Sequence, residues 1–440
     1  MAWYDEAVFY HIYPLGLLGA PEYNGHGTPA HRLRELKDWI FHMKDCGFNA
    51  LYLGPCFSSG SHGYDTEDYR KVDERLGDNE DLKELVRMCH EEGIRVILDG
   101  VFNHSGRGFF AFRDLKEYRE GSRYRNWYCN VNFWGNNSYD DGFSYDNWGG
   151  HDLLPKLNMY EPEVRNYHFD TVRFWVSEFD IDGLRLDAAD VLDQNFMREL
   201  RGLTDSLKED FWLMGEVIQG DYNRWVNEGA LHSVTNYALH KALYSGHNDH
   251  NYFEIAHTIK RQRDMGLGDN ARLYDFVDNH DVERIMTKLN NKRHFLPVHV
   301  LLYTLPGIPA VYYGSEFGLE GRKENGSDAS LRPALSLENI TPKEDECLQI
   351  IRTLGRIHRE QSDLCYGGYR EAVLTTTKFA FMRGDILVTV TNSDAEEYFD
   401  LDLNGSYVGA IHGRKITSDY GRLKFALEGN SAEIWIPAYE

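Results

Sequence analysis

Gly183-Leu-Arg-Leu-Asp-Ala-Ala-Asp190 is the segment from which the fold can be inferred. The largely apolar run over residues 179–186 is typical of a strand buried in a parallel sheet. Such a strand would deliver Arg185 and Asp187 to the carboxyl edge of its sheet, which is where barrel enzymes carry their reactive groups. The segment therefore predicts a barrel strand that ends in a functional site.

Three further segments share this form, an apolar strand followed directly by polar side chains. They are Arg95-Val-Ile-Leu-Asp-Gly-Val-Phe-Asn-His104, Phe211-Trp-Leu-Met-Gly-Glu216 and Arg272-Leu-Tyr-Asp-Phe-Val-Asp-Asn-His-Asp281. Any one of them could be a helix cap or a turn. Four in succession are better explained by strand ends that converge on one site.

The composition limits the class of protein. The 440 residues include 47 basic and 70 acidic side chains, which gives a formal net charge of −23, and no segment is rich in Lys or Arg. Nucleic acid and anionic membrane surfaces are therefore not expected partners, and no run is long and apolar enough to cross a bilayer. Because the first residues lack the pattern of a signal peptide, we expect a cytoplasmic location.

The cysteines support the same location. None of the six belongs to a C-x-x-C pair, so we expect free thiols of a reducing compartment rather than disulfides or a zinc site. They are Cys46, Cys56, Cys89, Cys129, Cys347 and Cys365.

Strands and helices alternate along most of the chain. Strand patterns occur around residues 7–13, 50–53, 95–99, 183, 212, 233–235, 273 and 308–313. Helical periodicity occurs over residues 32–46, 79–92, 162–179, 195–207, 252–263, 293–303 and 346–359. Eight strand and helix units in this order predict a (β/α)₈ TIM barrel built from residues 1–104 and 156–360.

Two segments do not follow the alternation. Residues 105–155 form a long connection rich in aromatic residues after the third strand, and we predict a small inserted domain whose rings mostly hold it together. After residue 361 the helical periods stop and short alternating runs begin, which predicts a C-terminal antiparallel β-sandwich domain over residues 361–440.

The strand ends suggest a chemistry. Asp187 and Glu216 follow consecutive strands, and two facing carboxylates can cleave an acetal in two steps, one as nucleophile and the other as acid and then base. A separation of about 5 to 5.5 Å between such carboxyls gives retention of configuration. Arg185, two residues before Asp187, points to the same face of its strand and can keep that carboxylate ionised.

The four segments resemble the conserved regions of the α-amylase family of glycoside hydrolases, family thirteen. The similarity extends from Tyr4 to about Ile357 and rests on polar residues of matching identity and order. These are Asp99, Asn103, His104, Arg185, Asp187, Glu216, His280 and Asp281. The resemblance implies a retaining hydrolase of α-1,4-glucosidic bonds in maltooligosaccharides, with the inserted segment as the family's domain B.

The resemblance also implies a role for each residue. Asp187 would be the nucleophile and Glu216 the acid/base. Asp281 would bind the hydroxyls of the cleaved sugar, with His104 and His280 donating to the same ring, and Asp99 would support Arg185. In His62-Gly-Tyr-Asp65, Tyr64 would stack under that sugar. Three further residues complete the predicted substrate-binding set: Asp65, Ala188 and Arg284.

Leu154-Pro-Lys-Leu-Asn158 is similar to the segment typical of the neopullulanase and cyclomaltodextrinase branch. Members of that branch usually carry an N-terminal β domain that supports dimerisation, whereas this sequence enters its first strand within ten residues, so the oligomeric state stays open. Asp190 and Val191 replace residues that many relatives have after the nucleophile, so contacts to the leaving group cannot be transferred from the family.

Several alternatives remain at this point. Glycosyl transfer and α-1,6 cleavage use the same scaffold, and an inactive sugar-binding relative is a separate class. A metal enzyme built on His247, Asp249 and His250 is a third hypothesis.

The small residue Ala188 favours α-1,4 over α-1,6 linkages, because in the related α-glucosidases a valine at this position accompanies α-1,6 preference.

No cofactor is required by the chemistry. The family often binds a structural Ca²⁺ beside the residue that matches Asn103, but the short inserted domain does not favour that site here.

Overall fold

The computed structural model describes residues 2–267, 272–338 and 340–438. Its central sheet has eight parallel strands: β1 (Phe9–Ile12), β2 (Ala50–Leu53), β3 (Arg95–Gly100), β4 (Gly183–Leu186), β5 (Trp212–Gly215), β6 (Ser233–Val234), β7 (Tyr274–Phe276) and β8 (Ile308–Tyr312). Their order in the sheet is β6-β5-β4-β3-β2-β1-β8-β7. A parallel bridge between Thr235, directly after β6, and Tyr274 of β7 joins the two edges. The predicted TIM barrel is therefore confirmed.

Most helices of eight residues or more surround this sheet, whereas α3 (Phe110–Tyr118) belongs to the inserted segment. Helices of this length are α1 (Leu36–Asp45), α2 (Asn79–Glu91), α3 (Phe110–Tyr118), α4 (Pro162–Phe179), α5 (Gln194–Leu207), α6 (Tyr237–Asn248), α7 (Phe253–Gln262), α8 (Phe295–Thr304) and α9 (Pro342–Glu360). Shorter α-helices are Pro14–Leu17, Ile285–Lys288 and Ser362–Tyr366.

The connection after β6 differs from the prediction, which placed no helix between residues 207 and 252. Between β5 and β6 the described chain has only a 3₁₀ turn, Tyr222–Arg224, because this stretch is rich in Gly, Asn and Asp, which favour turns over helices. After β6, the unpredicted helix α6 begins where the side chain of Asn236 accepts a hydrogen bond from the Leu239 N–H.

The barrel interior is packed and directs the polar side chains upward. Ile97 of β3 lies in a buried cluster with Phe9, Tyr52 and Trp212, and the Phe9 and Trp212 rings stack at 5.0 Å. Because side chains two residues apart share a face of a strand, Asp99 lies above Ile97 on the same inner face. The apolar layer thus forms the floor beneath the polar strand ends.

Two hairpin-like excursions cover the carboxyl end of the barrel. The first pairs Phe57–Ser59 with Thr66–Val72 and carries Tyr64 in its turn. The second lies in the inserted segment and pairs Asn147–Trp148 with His151–Pro155. A backbone bridge between His104 and Lys156 holds the end of this segment against the end of β3.

Most aromatic rings of the inserted segment pack against one another, as the sequence predicts. Those that are buried include Phe109, Phe112, Trp127, Tyr128, Phe143 and Tyr145. Exposed rings include Tyr118, Trp134, Tyr139 and Trp148.

The C-terminal region is antiparallel. Its strands are β9 (Tyr369–Leu374), β10 (Lys378–Arg383), β11 (Ile386–Thr391), β12 (Glu397–Asp402), β13 (Ser406–Gly409), β14 (Lys415–Thr417), β15 (Arg422–Leu427) and β16 (Ala432–Pro437). Six form one sheet in the order β9-β10-β11-β16-β13-β14, and β12 pairs with β15. The sequence patterns did not predict β14 and β15.

The Arg383 side chain links this region to the barrel, since its Nη1 donates to the Thr304 carbonyl of α8 at 2.7 Å. All six cysteines are unpaired, and five of them are buried. Over the described ranges, no helix combines the length and the apolar character that crossing a membrane requires.

Candidate active site

The polar strand ends meet around one guanidinium group. Asp99 and Arg185 are directly paired in the register of β3 and β4. Arg185 Nη1 donates to Asp99 Oδ1 and to Asp187 Oδ1, both at 2.8 Å, and Nη2 lies 3.0 Å from Glu216 Oε2. A single buried cation therefore fixes three carboxylates that come from three neighbouring strands.

The backbone explains why the two carboxylates after β4 and β5 lie at the same height. Parallel pairing continues one residue beyond the strands, with Asp187 N–H donating to the Gly100 carbonyl at 3.1 Å and Glu216 N–H to the Leu186 carbonyl at 2.9 Å. The chain then turns at Ala188, which is buried and has a left-handed backbone with φ of 47°. Its N–H donates to Glu216 Oε2 at 2.9 Å.

A second group of polar side chains lies beside the first. Tyr64 O–H is 3.1 Å from Asp99 Oδ2 and 2.6 Å from His280 Nε2. His280 Nε2 is also 3.0 Å from Asp281 Oδ2. The structure thus brings Tyr64, Asp99, His280 and Asp281 into one hydrogen-bonded network, and the Tyr64 and His280 rings stack at 5.5 Å.

Arg332 is a member of this network that the sequence patterns did not identify. Its Nη2 donates to Asp281 Oδ1 at 2.8 Å and its Nε donates to the His280 carbonyl at 3.0 Å. It follows a 3₁₀ turn in the polar connection between β8 and α9, where neither periodicity nor a neighbouring motif indicates function. Only the folded loop places it against Asp281.

His104 presents a free ring nitrogen to the site. Its Nε2 is buried, has no hydrogen-bond partner among the described residues, and lies 3.9 Å from Asp187 Oδ2. Burial lowers the pKa of His104 to about 3, so the ring is neutral near pH 7. A neutral ring of this kind can donate to or accept from a ligand hydroxyl.

Burial and charge act in opposite directions on the carboxyl groups. Burial raises the pKa of both Asp187 and Glu216, and the contacts with Arg185 oppose that rise. Burial also raises the pKa of Asp281, but His280 and Arg332 outweigh it and hold the pKa below its usual range. Asp281 is therefore ionised, whereas the pair formed by Asp187 and Glu216 favours retaining a proton.

A cavity of about 310 Å³ opens beside Glu216, on the side formed by Ala188 and the inserted segment. Its lining includes Asn103, Trp148, Lys156, Ala188, Asp190, Val191, Glu216 and Ile218. Trp148, Val191 and Ile218 are 39%, 50% and 55% exposed. Asp190 and Val191, the two positions that differ from many relatives, therefore lie in the wall of this cavity.

Two predicted substrate-binding residues lie outside this arrangement. Arg284 is fully buried, and its guanidinium donates to the carbonyls of Tyr313 and Leu331, so the structure does not bring it to the carboxylate network. Asp65 follows Tyr64 but is buried, and its carboxylate accepts from Ser61 Oγ at 2.9 Å. The structure does not bring it to the carboxylate network.

The geometry of His247 disfavours the hypothesis of a metal enzyme. His247 is fully buried, with Nδ1 at 2.6 Å from the Leu243 carbonyl and Nε2 at 3.2 Å from Tyr252 O–H. Both ring nitrogens are thus engaged in the packing of α6. Ligation of a metal by His247 Nε2, together with His250 and Asp249, would break its bond with Tyr252.

Ca²⁺ prefers six to eight oxygen ligands including carboxylates, and in the described ranges no group of three or more acidic, histidine or cysteine side chains close enough to share an ion lies at Asn103. Asn103 is buried and its amide contacts His104 Nδ1 at 3.3 Å. Among the described residues, the acidic and histidine side chains close enough to share an ion are His31, Asp78 and Asp81, at the start of α2. There Arg34 Nε already donates to Asp81 Oδ1 at 2.6 Å.

Comparison with known proteins agrees with this arrangement. Residues 25–362 match the family described as alpha amylase, catalytic domain. A cyclomaltodextrinase of a Bacillus species is 30% identical over 440 residues, covering 94% of this chain and 77% of the relative. An intracellular maltogenic amylase of Bacillus subtilis is 30% identical, covering 80% of this chain and 58% of the relative.

The structures agree as well. The ligand-free cyclic α-maltosyl-(1→6)-maltose hydrolase from Arthrobacter globiformis superposes with a TM-score of 0.84 at 26% identity and covers 99% of both chains. The family match spans well over half of the sequence and includes the strand ends that carry the carboxylates. The chain therefore belongs to the α-amylase family of glycoside hydrolases.

Proposed function

We propose that this protein hydrolyses α-1,4-glucosidic bonds in short maltooligosaccharides with retention of configuration. The observation that supports this most directly is the Arg185 guanidinium, which contacts Asp187 and Glu216 through its two terminal nitrogens at 2.8 and 3.0 Å. One planar group of this size holds the carboxylates close together, as the double-displacement mechanism requires.

In the first step, Asp187 attacks the anomeric carbon while Glu216 protonates the departing glycosidic oxygen. Oδ1 of Asp187 is held by Arg185, so Oδ2, on the side of His104, is the attacking oxygen. In the second step, Glu216 removes a proton from water, which attacks the same carbon and releases Asp187. The ionised Asp281 and the neutral His104 bind hydroxyls of the cleaved sugar.

Each role is filled by a carboxylate, an arginine or a histidine, so we propose that the reaction needs neither a metal ion nor an organic cofactor. The names of the relatives support glucan substrates, since they include a cyclomaltodextrinase and a maltogenic amylase. The similarity to an intracellular maltogenic amylase supports a cytoplasmic location.

A preference for α-1,4 bonds follows from the space beside Ala188, where a β-branched side chain would occupy part of the cavity. Cleavage of α-1,6 bonds is the second candidate, because the similar Arthrobacter globiformis enzyme is named for a substrate with a (1→6) linkage. Values of kcat/KM for maltotriose and isomaltotriose separate the two. Equal or faster cleavage of isomaltotriose would show that Ala188 does not set the linkage.

Transfer to a sugar acceptor shares the covalent intermediate and differs only in the second step. The apolar side chains around the cavity beside Glu216 favour binding of such an acceptor. Product analysis over time with maltotriose distinguishes the two outcomes, because transfer gives products longer than the substrate.

The mechanism is tested by product stereochemistry and by the two carboxyl variants. NMR should show the α anomer first, whereas an initial β anomer would rule out retention.

D187N should lower kcat by several orders of magnitude with little loss of stability. E216Q should impair maltotriose cleavage far more than cleavage of α-glucosyl fluoride, whose leaving group needs little protonation. Near-normal turnover of maltotriose by either variant would refute the assignment.

A further inference from the structure

Ala188 has an unusual backbone for its side chain. Its φ of 47° lies in the left-handed region, which is uncommon for residues other than glycine. Most of the other non-glycine residues with positive φ in the described ranges are Asn, Asp or His, which tolerate this region. Ala188 is only 2% exposed and directly follows Asp187, so this conformation is built into the site.

At this turn two donors meet one oxygen of Glu216. The Ala188 N–H donates to Glu216 Oε2 at 2.9 Å, and Arg185 Nη2 approaches the same oxygen at 3.0 Å. The other oxygen, Oε1, accepts no hydrogen bond from the described part of the chain, although Glu216 lines the open cavity. Two donors thus converge on one oxygen of the carboxyl group and none on the other.

We infer that Ala188 is a positioning residue, whose backbone N–H, at the start of a left-handed turn, fixes Oε2 of Glu216 and reserves Oε1 for proton exchange with the substrate. A carboxyl proton resides on the oxygen that does not face donors, because a donor hydrogen and an acidic proton compete for the same lone pairs. This inference rests on the proposed role of Glu216 as acid/base and adds which atom transfers the proton and what aligns it.

The side chain at position 188 also lines the cavity, so a substitution acts in two separable ways. A larger side chain takes up space beside the cleaved bond. A β-branched side chain additionally disfavours the left-handed backbone. Because the Asp187 and Val191 N–H groups hold the chain on both sides, a change of φ at position 188 must be compensated by rotation of the neighbouring peptide group, which turns the N–H away from Glu216. Asn is larger than Ala yet tolerates the left-handed region, so A188N and A188V share the first effect, and only A188V has the second.

The test is the pH dependence of kcat/KM for maltotriose in A188V, A188N and A188G. In A188V the basic limb should move to higher pH, because loss of a donor to the ionised carboxylate raises its pKa. The basic limb of A188N and of A188G should coincide with that of the wild-type protein. Equal losses of kcat/KM in A188V and A188N, with all basic limbs unchanged, would overturn the inference.

A second measurement covers the case in which A188V does not fold. Lactic acid in place of Ala188 converts the amide to an ester and removes only the N–H, so the same upward shift is expected. An unshifted limb in this ester protein would count against the inference. E216Q distinguishes failure of the proposed function from failure of this inference. If E216Q cleaves maltotriose normally, the proposed function fails. If E216Q is inactive and the variants at position 188 show no shift of the basic limb, only the role of Ala188 is refuted.

Discussion

The two sides of Glu216 are built differently. On one side, Arg185, Asp99, Tyr64, His280, Asp281 and Arg332 are joined by contacts of 2.6 to 3.1 Å. On the other side, the cavity is bounded by partly exposed apolar groups, Trp148, Val191 and Ile218. Preorganised polar groups act on developing charge, whereas an apolar wall binds ring faces without fixing their orientation. We expect the first side to set the chemistry and the second to select the leaving group.

Removal of the Arg185 guanidinium, which three carboxylates share, should have the largest effect on activity and stability. R185M leaves three carboxylates without their common partner, so we expect activity to fall by several orders of magnitude and stability to fall by about 3 to 5 kcal/mol. The measurements are kcat/KM for maltotriose and urea unfolding. R173M is the matched control, because the Arg173 side chain is half exposed and pairs with Asp170 on the surface of α4. Similar losses in both variants would mean that the network does not organise the site.

Arg332 should matter less, because it contacts one carboxylate of the network. A charge-assisted hydrogen bond contributes about 1.5 to 3 kcal/mol, so R332A should lower kcat/KM roughly tenfold to 150-fold. The control is D328N, which weakens the other ion pair of Arg332, at 3.1 Å, and leaves its contact with Asp281 in place. If D328N loses as much activity as R332A, the contact with Asp281 is not the reason for the loss.

A substitution on the apolar side of the site should impair the enzyme less than one on the polar side, and only with some substrates. Loss of a stacking ring costs about 0.5 to 1.5 kcal/mol, so W148A should raise KM for maltotriose about two- to tenfold. Cleavage of α-glucosyl fluoride should stay unchanged, since fluoride does not extend along the cavity. W134A removes a tryptophan of the same inserted segment that is 99% exposed, and it should change neither value. A comparable effect on cleavage of α-glucosyl fluoride would mean that Trp148 contributes to the chemistry and not to binding of the leaving group.

Chelation should have the smallest effect. Because no step of the proposed reaction uses a metal, prolonged treatment with EDTA should leave kcat for maltotriose nearly unchanged at 25 °C. The readout is residual activity before and after addition of Ca²⁺. Loss of most activity, restored by Ca²⁺, would contradict the proposal.

Sequence patterns predict the part of the site that follows directly from strand ends. Asp99, Arg185, Asp187 and Glu216 occur where an apolar strand stops, and parallel register then aligns them. Arg284 follows Asp281 by only three residues, yet it packs under β8, because the direction of a loop side chain depends on contacts that are distant in sequence.

Arg332 is the opposite case, a residue of the site that sequence patterns do not predict. It joins the site from a polar connection without periodicity, through a loop whose path is fixed by tertiary packing. The left-handed backbone of Ala188 is likewise not predictable from composition, since alanine normally favours helices. Helix α6 is not predicted by local sequence, because Ser245 and Gly246 weaken its helix propensity, whereas burial of Leu239 and Leu243 stabilises it.

The pairing of β1 with β8 has a consequence for how the protein acquires activity. Phe9 pairs with Ala310, and Tyr64 contacts His280 across 216 positions of sequence, so the site joins the first and last quarters of the barrel. Contacts this distant in sequence form late, because the chain loses much conformational freedom before it gains them. During synthesis, a nascent chain has no complete active site until Arg332 has emerged from the ribosome, and activity is therefore among the last properties to appear on refolding.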